Sequence, residues 1–314
     1  MNVLFKGILY NYHSYAIVNY FLLKYLKQID DVTIFYESNT FLPVNLKFYE
    51  PKLQLQEYTG TEKIDIIFQS SFPYIYKPSD IPTLLFVTNE MDFLQKEFFN
   101  YSVNKMLEND KLFFLTPSAK SQQAFLNESK DFAKKVFVLP HGIDPAVFYK
   151  ISRPNNNKYT ILHVSALSQN KNLPLILDAV RDLDVNLIVK AQKDIYKFNT
   201  NLSMYPNVKL ITESLSFKEM NELFNSCDAY VSAGSLEAFD IPIVEAAYLG
   251  LDVFCTKESP QNKLVPKSMQ FSNSNQLKKL IQQKTKHKTF VSDSYFYKNI
   301  AKIFYSDILS KIVL

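Results

Sequence analysis

Residues 227–256 read CDAYVSAGSLEAFDIPIVEAAYLGLDVFCT. The stretch reads as strand, loop, helix, strand. Tyr230 and Val231 are strand formers, and Ser232 to Leu236 are small and polar enough for a loop. Asp240 is placed to cap a helix, and Pro242 suits a first turn, where a missing N–H costs nothing. Gly250 is placed to end that helix near Leu249, because glycine accepts the left-handed C-terminal conformation. Asp252 to Thr256 returns as a strand.

Working outward, the same alternation fills the chain. Strands are predicted at 3–7, 32–37, 64–68, 83–88, 112–116 and 136–139, with helices at 14–29, 93–107 and from about 118. Residues 41–63 give only turn signals, at Pro43, Pro51 and Gly60. The polar stretch KISRPNNNK, 150–158, reads as an interdomain linker. The alternation then restarts, with strands at 159–165, 185–189 and 208–212 and a helix at 173–183. Ser216 and Glu219 form a capping-box pattern for a further helix. Leu277 to Ile281 lies in a lysine-rich helix, and 295–312 is amphipathic, with Ile300, Ile303, Phe304, Ile308 and Ile312 on related faces. The expected architecture is α/β, two Rossmann-like, doubly wound parallel-sheet domains facing a cleft, 1–150 and 151–290, with 291–314 packing back toward the first. Ligands of such sheets bind at the carboxyl ends of the strands.

Two carboxylates stand out at one such end. Glu237 lies in the loop and Glu245 in the helix, with seven residues between them. A helix N-terminus attracts anions through its unpaired N–H groups and its dipole. A diphosphate there would leave Glu237 beside a group beyond the phosphates. Glu245 could accept hydrogen bonds from vicinal ribose hydroxyls. That arrangement suits a nucleotide sugar.

The segment resembles the E-x7-E region of retaining, group 1, GT-B glycosyltransferases, usually close to S-x-x-E-G-F-G-x-P-x-x-E-A-x-x-x-G-x-P-V. Glu237, Phe239, Pro242, Glu245, Ala246, Gly250 and Val253 fall at matching places. Ala238 and Asp240 replace glycines, and Asp252 replaces a proline. Two more stretches are similar to the same family. The LSQNKN loop matches V-G-R-L-x-x-x-K-G at Val164, Leu167 and Lys171, with Ala166 where arginine is usual. VLPHGIDPAVF, 138–148, matches the domain junction V-x-P-N-G-V-D-x-x-x-F, with His141 in place of asparagine.

The resemblance implies a metal-independent transferase that moves a sugar from a nucleotide-diphosphate donor to a hydroxyl acceptor with retention. The donor is a co-substrate, and no cofactor is implied. In the second half, Lys171 and Lys190 would meet the diphosphate, Glu237 the sugar and Glu245 the ribose, with Ala238, Phe239 and Asp240 lining the donor. Glu237 and Lys171 would act in catalysis. In the first half, Gly7, His13, Glu90 and His141 are candidates for the acceptor side, which could be a glycan, a lipid-linked sugar or a protein. Glu90 reads equally as a cap for the following helix. Domain closure would exclude water. Ala166, Ala238 and Asp240 motivate an alternative, a GT-B-shaped protein that binds a nucleotide sugar without transferring it. An unrelated two-lobed binding protein of periplasmic type is a third reading.

Composition narrows the classes further. With 314 residues, 47% of them hydrophobic and 21% charged, the chain can bury real cores and is not a disordered polymer. The net charge of +4 is almost all lysine, arginine occurring only at Arg153 and Arg181. That argues against nucleic-acid recognition, where arginine's planar fork is favoured, and it allows contact with an anionic membrane surface. MNVLFKGILY lacks a basic n-region and reads as a first strand, no apolar run reaches about 18 residues, and Cys227 and Cys255 read as reduced core thiols, so a cytoplasmic location is expected. His13, His141, His163 and His287 show no metal-ligand spacing, and Asp182 and Asp184 precede a strand as a turn would. There is no Walker loop, no G-x-G-x-x-G and no G-x-S-x-G elbow. Phosphate charge would therefore be met by lysines and a helix dipole.

Overall fold

A computed structural model describes residues 1–11, 13–38, 52–152, 154–191, 202–283, 289 and 291–313. Pro43, Pro51, Arg153 and His287 lie outside them. The chain divides into two compact units, Met1–Asp144 with Asp293–Leu314, and Pro145–Ser292.

The first unit is built on a seven-stranded sheet in the order β3-β2-β1-β4-β5-β6-β7. Its strands are β1 (Asn2–Gly7), β2 (Thr33–Ser38), β3 (Gln56–Glu57), β4 (Ile66–Ser70), β5 (Thr83–Phe86), β6 (Leu112–Thr116) and β7 (Val136–Val138). Every pairing is parallel. β4 and β5 are buried along their whole length, which is why they read as continuous apolar runs without alternation. From β1 the chain builds outward on one side to β3 and on the other to β7. The sheet therefore has its topological switch point between β1 and β4. Gly7 ends β1 there, and an added Cβ would meet the Ser70 carbonyl at 2.5 Å.

Helices α1 (Ser14–Leu26), α2 (Val103–Glu108) and α3 (Ala119–Glu128) cover this sheet. The helix expected over 93–107 forms only in its last part, as α2. Before it, the Asn89 amide donates to the carbonyls of Met91 (2.6 Å) and Phe93 (3.0 Å), and its oxygen accepts from Gln95 N (3.2 Å). Asn100 pairs with both the N–H and the carbonyl of Tyr76, at 2.9 and 2.7 Å. These side-chain bonds compete with helical ones. Ser102 then caps the helix that does form.

Residues 293–313 complete the same unit. α8 (Tyr297–Ile303) passes into a π-helical stretch, Phe304–Leu309, and then α9 (Ser310–Val313). Ile300, Phe304, Ile308 and Ile312 face inward, while Ile303, expected with them, is 38% exposed. The wider i to i+5 turn keeps a four-residue spacing on one face and leaves the three-residue step outside. Tyr297 stacks on Phe21 at 5.3 Å, and Phe304 meets Phe68 edge-on at 5.1 Å.

The chain passes between units at Asp144 and Pro145. Asn221 accepts from Tyr149 N (3.1 Å) and Asn225 from Ile151 N (3.2 Å), so the polar 150–158 stretch begins on the second unit. That unit carries a six-stranded parallel sheet, β10-β9-β8-β11-β12-β13. Its strands are β8 (Tyr159–Ser165), β9 (Val185–Ala191), β10 (Val208–Ile211), β11 (Ala229–Ser232), β12 (Asp252–Thr256) and β13 (Gln270–Phe271). Its helices are α4 (Leu173–Val180), α5 (Phe217–Asn225), α6 (Ile241–Leu249) and α7 (Ser274–Gln283). The expected capping box at Ser216 and Glu219 starts α5, and Gly250, with φ 78°, closes α6. Cys227 and Cys255 are buried thiols. The switch point falls between β8 and β11. Among the described residues no helix is long and apolar enough to cross a membrane.

Candidate functional site

At the β8/β11 switch point the two strands pair only as far as Leu162 and Tyr230. The next step is made by a side chain, since His163 Nδ1 lies 2.9 Å from the Val231 carbonyl. Only a protonated Nδ1 can donate to a carbonyl. Burial then lowers the imidazole pKa to about 4, with Lys171 adding to that effect, so the ring is neutral. Beyond this point the strands part and the loops 166–172 and 233–240 open over the sheet.

Asn170 joins those loops. Its amide donates to the Leu236 carbonyl at 3.1 Å, and its own carbonyl accepts from Ser235 N at 3.1 Å. The clamp brings Lys171 to Glu237. Lys171 Nζ lies 2.8 Å from Glu237 Oε2, with the side chains 16% and 12% exposed. Gly234 lies against that carboxylate, and a Cβ there would meet Glu237 Oε1 at 2.5 Å. Thr256 Oγ1 donates to the Gly234 carbonyl at 2.9 Å, which holds the glycine from the neighbouring strand.

Asp240 stands at the start of α6 but does not cap it. Its backbone is left-handed, φ 69°, and its side chain makes no bond to the helix N–H groups. Instead Oδ2 accepts from Ser232 Oγ at 2.5 Å. The expected capping role is thus replaced by a tie back to β11, because the left-handed backbone turns the aspartate side chain away from the helix. Burial, then the neighbouring Glu237, raise the Asp240 pKa, against pulls from Ser232 and Lys171. Glu245, one turn into α6, is partly buried. Burial and the Asp240 charge push its pKa up to about 8. The buried Tyr230 phenol feels Asp240, Glu237 and Glu245 together. Ala238 and Phe239 are buried in the loop. Lys190, at the end of β9, is 9% exposed and donates to the Ala191 carbonyl at 2.9 Å. Burial lowers its pKa, with Glu213 opposing.

The first unit's switch point has different chemistry. His13 caps α1, its Nδ1 accepting from Tyr15 N at 3.4 Å. The Tyr15 hydroxyl lies 2.7 Å from Thr88 Oγ1 and 3.1 Å from the Tyr74 hydroxyl. Tyr74 donates to the Thr88 carbonyl (3.0 Å) and accepts from Thr88 N (3.1 Å). One phenol thus bonds both sides of a residue that follows β5. Glu90, two residues on, raises the Tyr74 pKa in addition to burial. The helix Glu90 would have capped does not start beside it. His141 is 6% exposed, edge-on to Phe86 at 5.6 Å, and burial lowers its pKa to about 3. With Asn19 and Tyr297 it lines a cavity of about 10 Å³ inside the unit. Gly7 and His13 lie at the strand end, and His141 lies in the core.

Asn170, Ser232, Tyr15, Tyr74 and Thr88 did not emerge from sequence. Asn170 sits two residues after Ser168 in a loop already singled out, and that polar pair was the available signal. Among the described residues no three His, Cys, Asp or Glu side chains group as metal ligands would.

Residues 148–283 match the family model described as Glycosyl transferases group 1. The match lies within the second unit. No curated protein sequence matches the chain. Solved structures resemble the whole of it. Anabaena Alr3699/HepE, crystallised with UDP and glucose, is 14% identical over 100% of this chain and 97% of that one, with a TM-score of 0.63. Sucrose-phosphate synthase from Thermosynechococcus elongatus is 11% identical over 100% and 94%, TM-score 0.64. WaaG, a glycosyltransferase involved in lipopolysaccharide biosynthesis, is 14% identical over 99% and 97%, TM-score 0.62. At these identities the likeness carries the fold, two Rossmann-like domains of the GT-B kind. The residues matched by the family model include the Lys171–Glu237 pair, Asp240 and Glu245.

Proposed function

We propose that the protein transfers a glycosyl group from a nucleotide-diphosphate sugar to a hydroxyl of a glycan, a lipid-linked sugar or a protein, with retention and without a metal. The observation that carries this reading is the Lys171–Glu237 pair at the β8/β11 switch point, inside the matched domain. In it, a cation and a carboxylate meet at the start of α6, where N–H groups attract phosphate. Lys171 would stabilise the departing diphosphate, an effect that grows as charge develops in the transition state. Glu237 would hold sugar hydroxyls and Glu245 the ribose. Glu90 and His13 would bind the acceptor in the first unit. The acceptor hydroxyl is the nucleophile, so no catalytic triad is required. HepE, which shares the fold, was crystallised with UDP and glucose, which favours a uridine donor.

A second reading, donor binding without transfer, draws on Asp240. Its carboxyl adds a third acid beside Glu237 and Glu245, and Ala166 stands where the resemblance leads one to look for arginine. Thermal shift with uridine, guanosine and adenosine diphosphates and their sugars, with and without EDTA, tests the donor site. Ligand at a hundred times its Kd should stabilise by about 2.7 kcal/mol. A base-selective shift that survives EDTA and is lost in Glu245→Ala is expected. No shift with any nucleotide would sink both readings. Release of sugar from the donor in the absence of acceptor separates transfer from binding alone.

A further inference from the structure

We propose that Glu237 acts as a competing anion that makes the donor site select sugar-bearing nucleotides over the bare nucleoside diphosphate. The inference rests on the donor-site reading above and adds a specificity role to it. Its basis is that the cation meant for phosphate is already engaged. Lys171 Nζ sits 2.8 Å from Glu237 Oε2, and both side chains are largely shielded from water.

The pair is built in rather than a chance surface contact. Asn170 bonds the two loops at both Ser235 and Leu236, so the backbones that carry Lys171 and Glu237 are held together. Gly234 leaves room for the Glu237 carboxylate, with the place of a Cβ only 2.5 Å from Oε1 and 2.9 Å from Cγ. Thr256 holds that glycine in place. Little side-chain freedom is then left to lose in forming the pair, which is the usual penalty on an ion pair.

A diphosphate that takes Lys171 must compete with this pair. It leaves Glu237 facing phosphate, with Asp240 close enough to add to the repulsion. A bare nucleoside diphosphate has no terminal sugar to offer the displaced carboxylate. A nucleotide sugar brings hydroxyls, which donate to it and restore its hydrogen bonds. The same carboxylate therefore opposes one ligand and favours the other. After transfer, return of Glu237 to Lys171 would help to expel the diphosphate product.

The test is calorimetric binding of UDP and UDP-glucose, with the guanosine and adenosine pairs alongside, to wild type, Glu237→Gln, Lys171→Met and the double variant. Glutamine keeps the shape of glutamate, so folding is preserved. Glu237→Gln should bind bare diphosphate about tenfold tighter, the scale of one contact to a charged group, and should lose the preference for the sugar nucleotide. In the Lys171→Met background the gain should vanish, because there is no cation left to free. Gly234→Ala, which crowds the carboxylate, should shift the preference the same way. If wild type binds diphosphate and Glu237→Gln binds it no tighter, the competing-anion role is wrong while the donor site stands. A gain that persists without Lys171 also overturns the role, since it would reflect net charge alone. If no nucleotide binds any of the four proteins, the donor-site reading fails and this inference with it.

Discussion

The two sheets have the same kind of switch point, and they fill it with opposite chemistry. At β1/β4 the groups are neutral. Tyr15, Tyr74 and Thr88 share hydroxyl bonds, with a histidine cap beside them. At β8/β11 the groups are titratable, the Lys171–Glu237 ion pair beside two carboxyls of raised pKa, Asp240 and Glu245. Topology thus decides where loops diverge, and the loop residues decide what can bind there. A neutral network suits rigid presentation of the loop that carries Glu90. An ionic one suits exchange with a charged ligand.

The comparison breaks most readily at Lys171. Lys171→Ala leaves Glu237 and Asp240 without their cation, and donor turnover should fall by roughly two to three orders of magnitude, the scale of removing one transition-state contact. Steady-state kcat/KM for donor consumption measures it. A change below tenfold would mean the ionic switch point does not meet phosphate. Tyr74→Phe probes the neutral one. It removes the phenol's bonds to Thr88 and to Tyr15 and should lower stability by about 1–3 kcal/mol in urea unfolding while leaving nucleotide affinity alone. Weakened nucleotide binding would show that the two regions are not chemically separate.

Acidity sharpens the contrast further. The folded pKa of Glu245, about 8, lies above its unfolded value, so folding favours the protonated form. Its stabilising contribution is complete below the unfolded carboxylate range and is lost as pH rises through about 8. Asp240 is shifted in the same direction. Glu245→Gln stays neutral at every pH. Discounted for partial exposure, wild type should lose roughly 1–2 kcal/mol relative to the variant between about pH 5 and pH 9. Parallel melting curves with equal pH slopes would refute this. The smallest effect belongs to Lys190. Its ammonium is turned to the Ala191 carbonyl, so Lys190→Ala should weaken diphosphate binding only by about twofold to fivefold. A loss equal to that of Lys171→Ala would make it a full second cation.

Much of the second unit was legible in the sequence. β8 and β12 begin and end where their apolar runs do, α6 ends at Gly250, and Ser216 and Glu219 announce α5. These are local signals. The 93–107 stretch misled because Asn89 and Asn100 bond to backbone outside the helical pattern, which periodicity does not register. The site was legible as charges near a helix start, but not as a bonded arrangement. Lys171 and Glu237 are 66 residues apart, and Tyr15 lies 59 from Tyr74 and 73 from Thr88. No local pattern encodes such pairs. Asp240 was read as a cap because aspartate prefers that position, whereas its left-handed backbone follows the path a glycine would take.

The return of residues 293–313 to the first unit makes the second an insertion within it. The two therefore mature in an order that numbering alone would not suggest. The second unit is a contiguous segment and can close as soon as its own strands are made. The first unit must hold Phe21 and Phe68 open until Tyr297 and Phe304 arrive, well after its sheet has been synthesised. A chain stopped after Ser292 should keep the unfolding transition of the inserted domain and lose that of the first, and survival of both would show that the late segment is dispensable. Quality control during synthesis would then act on an apolar groove in the half that has been finished longest.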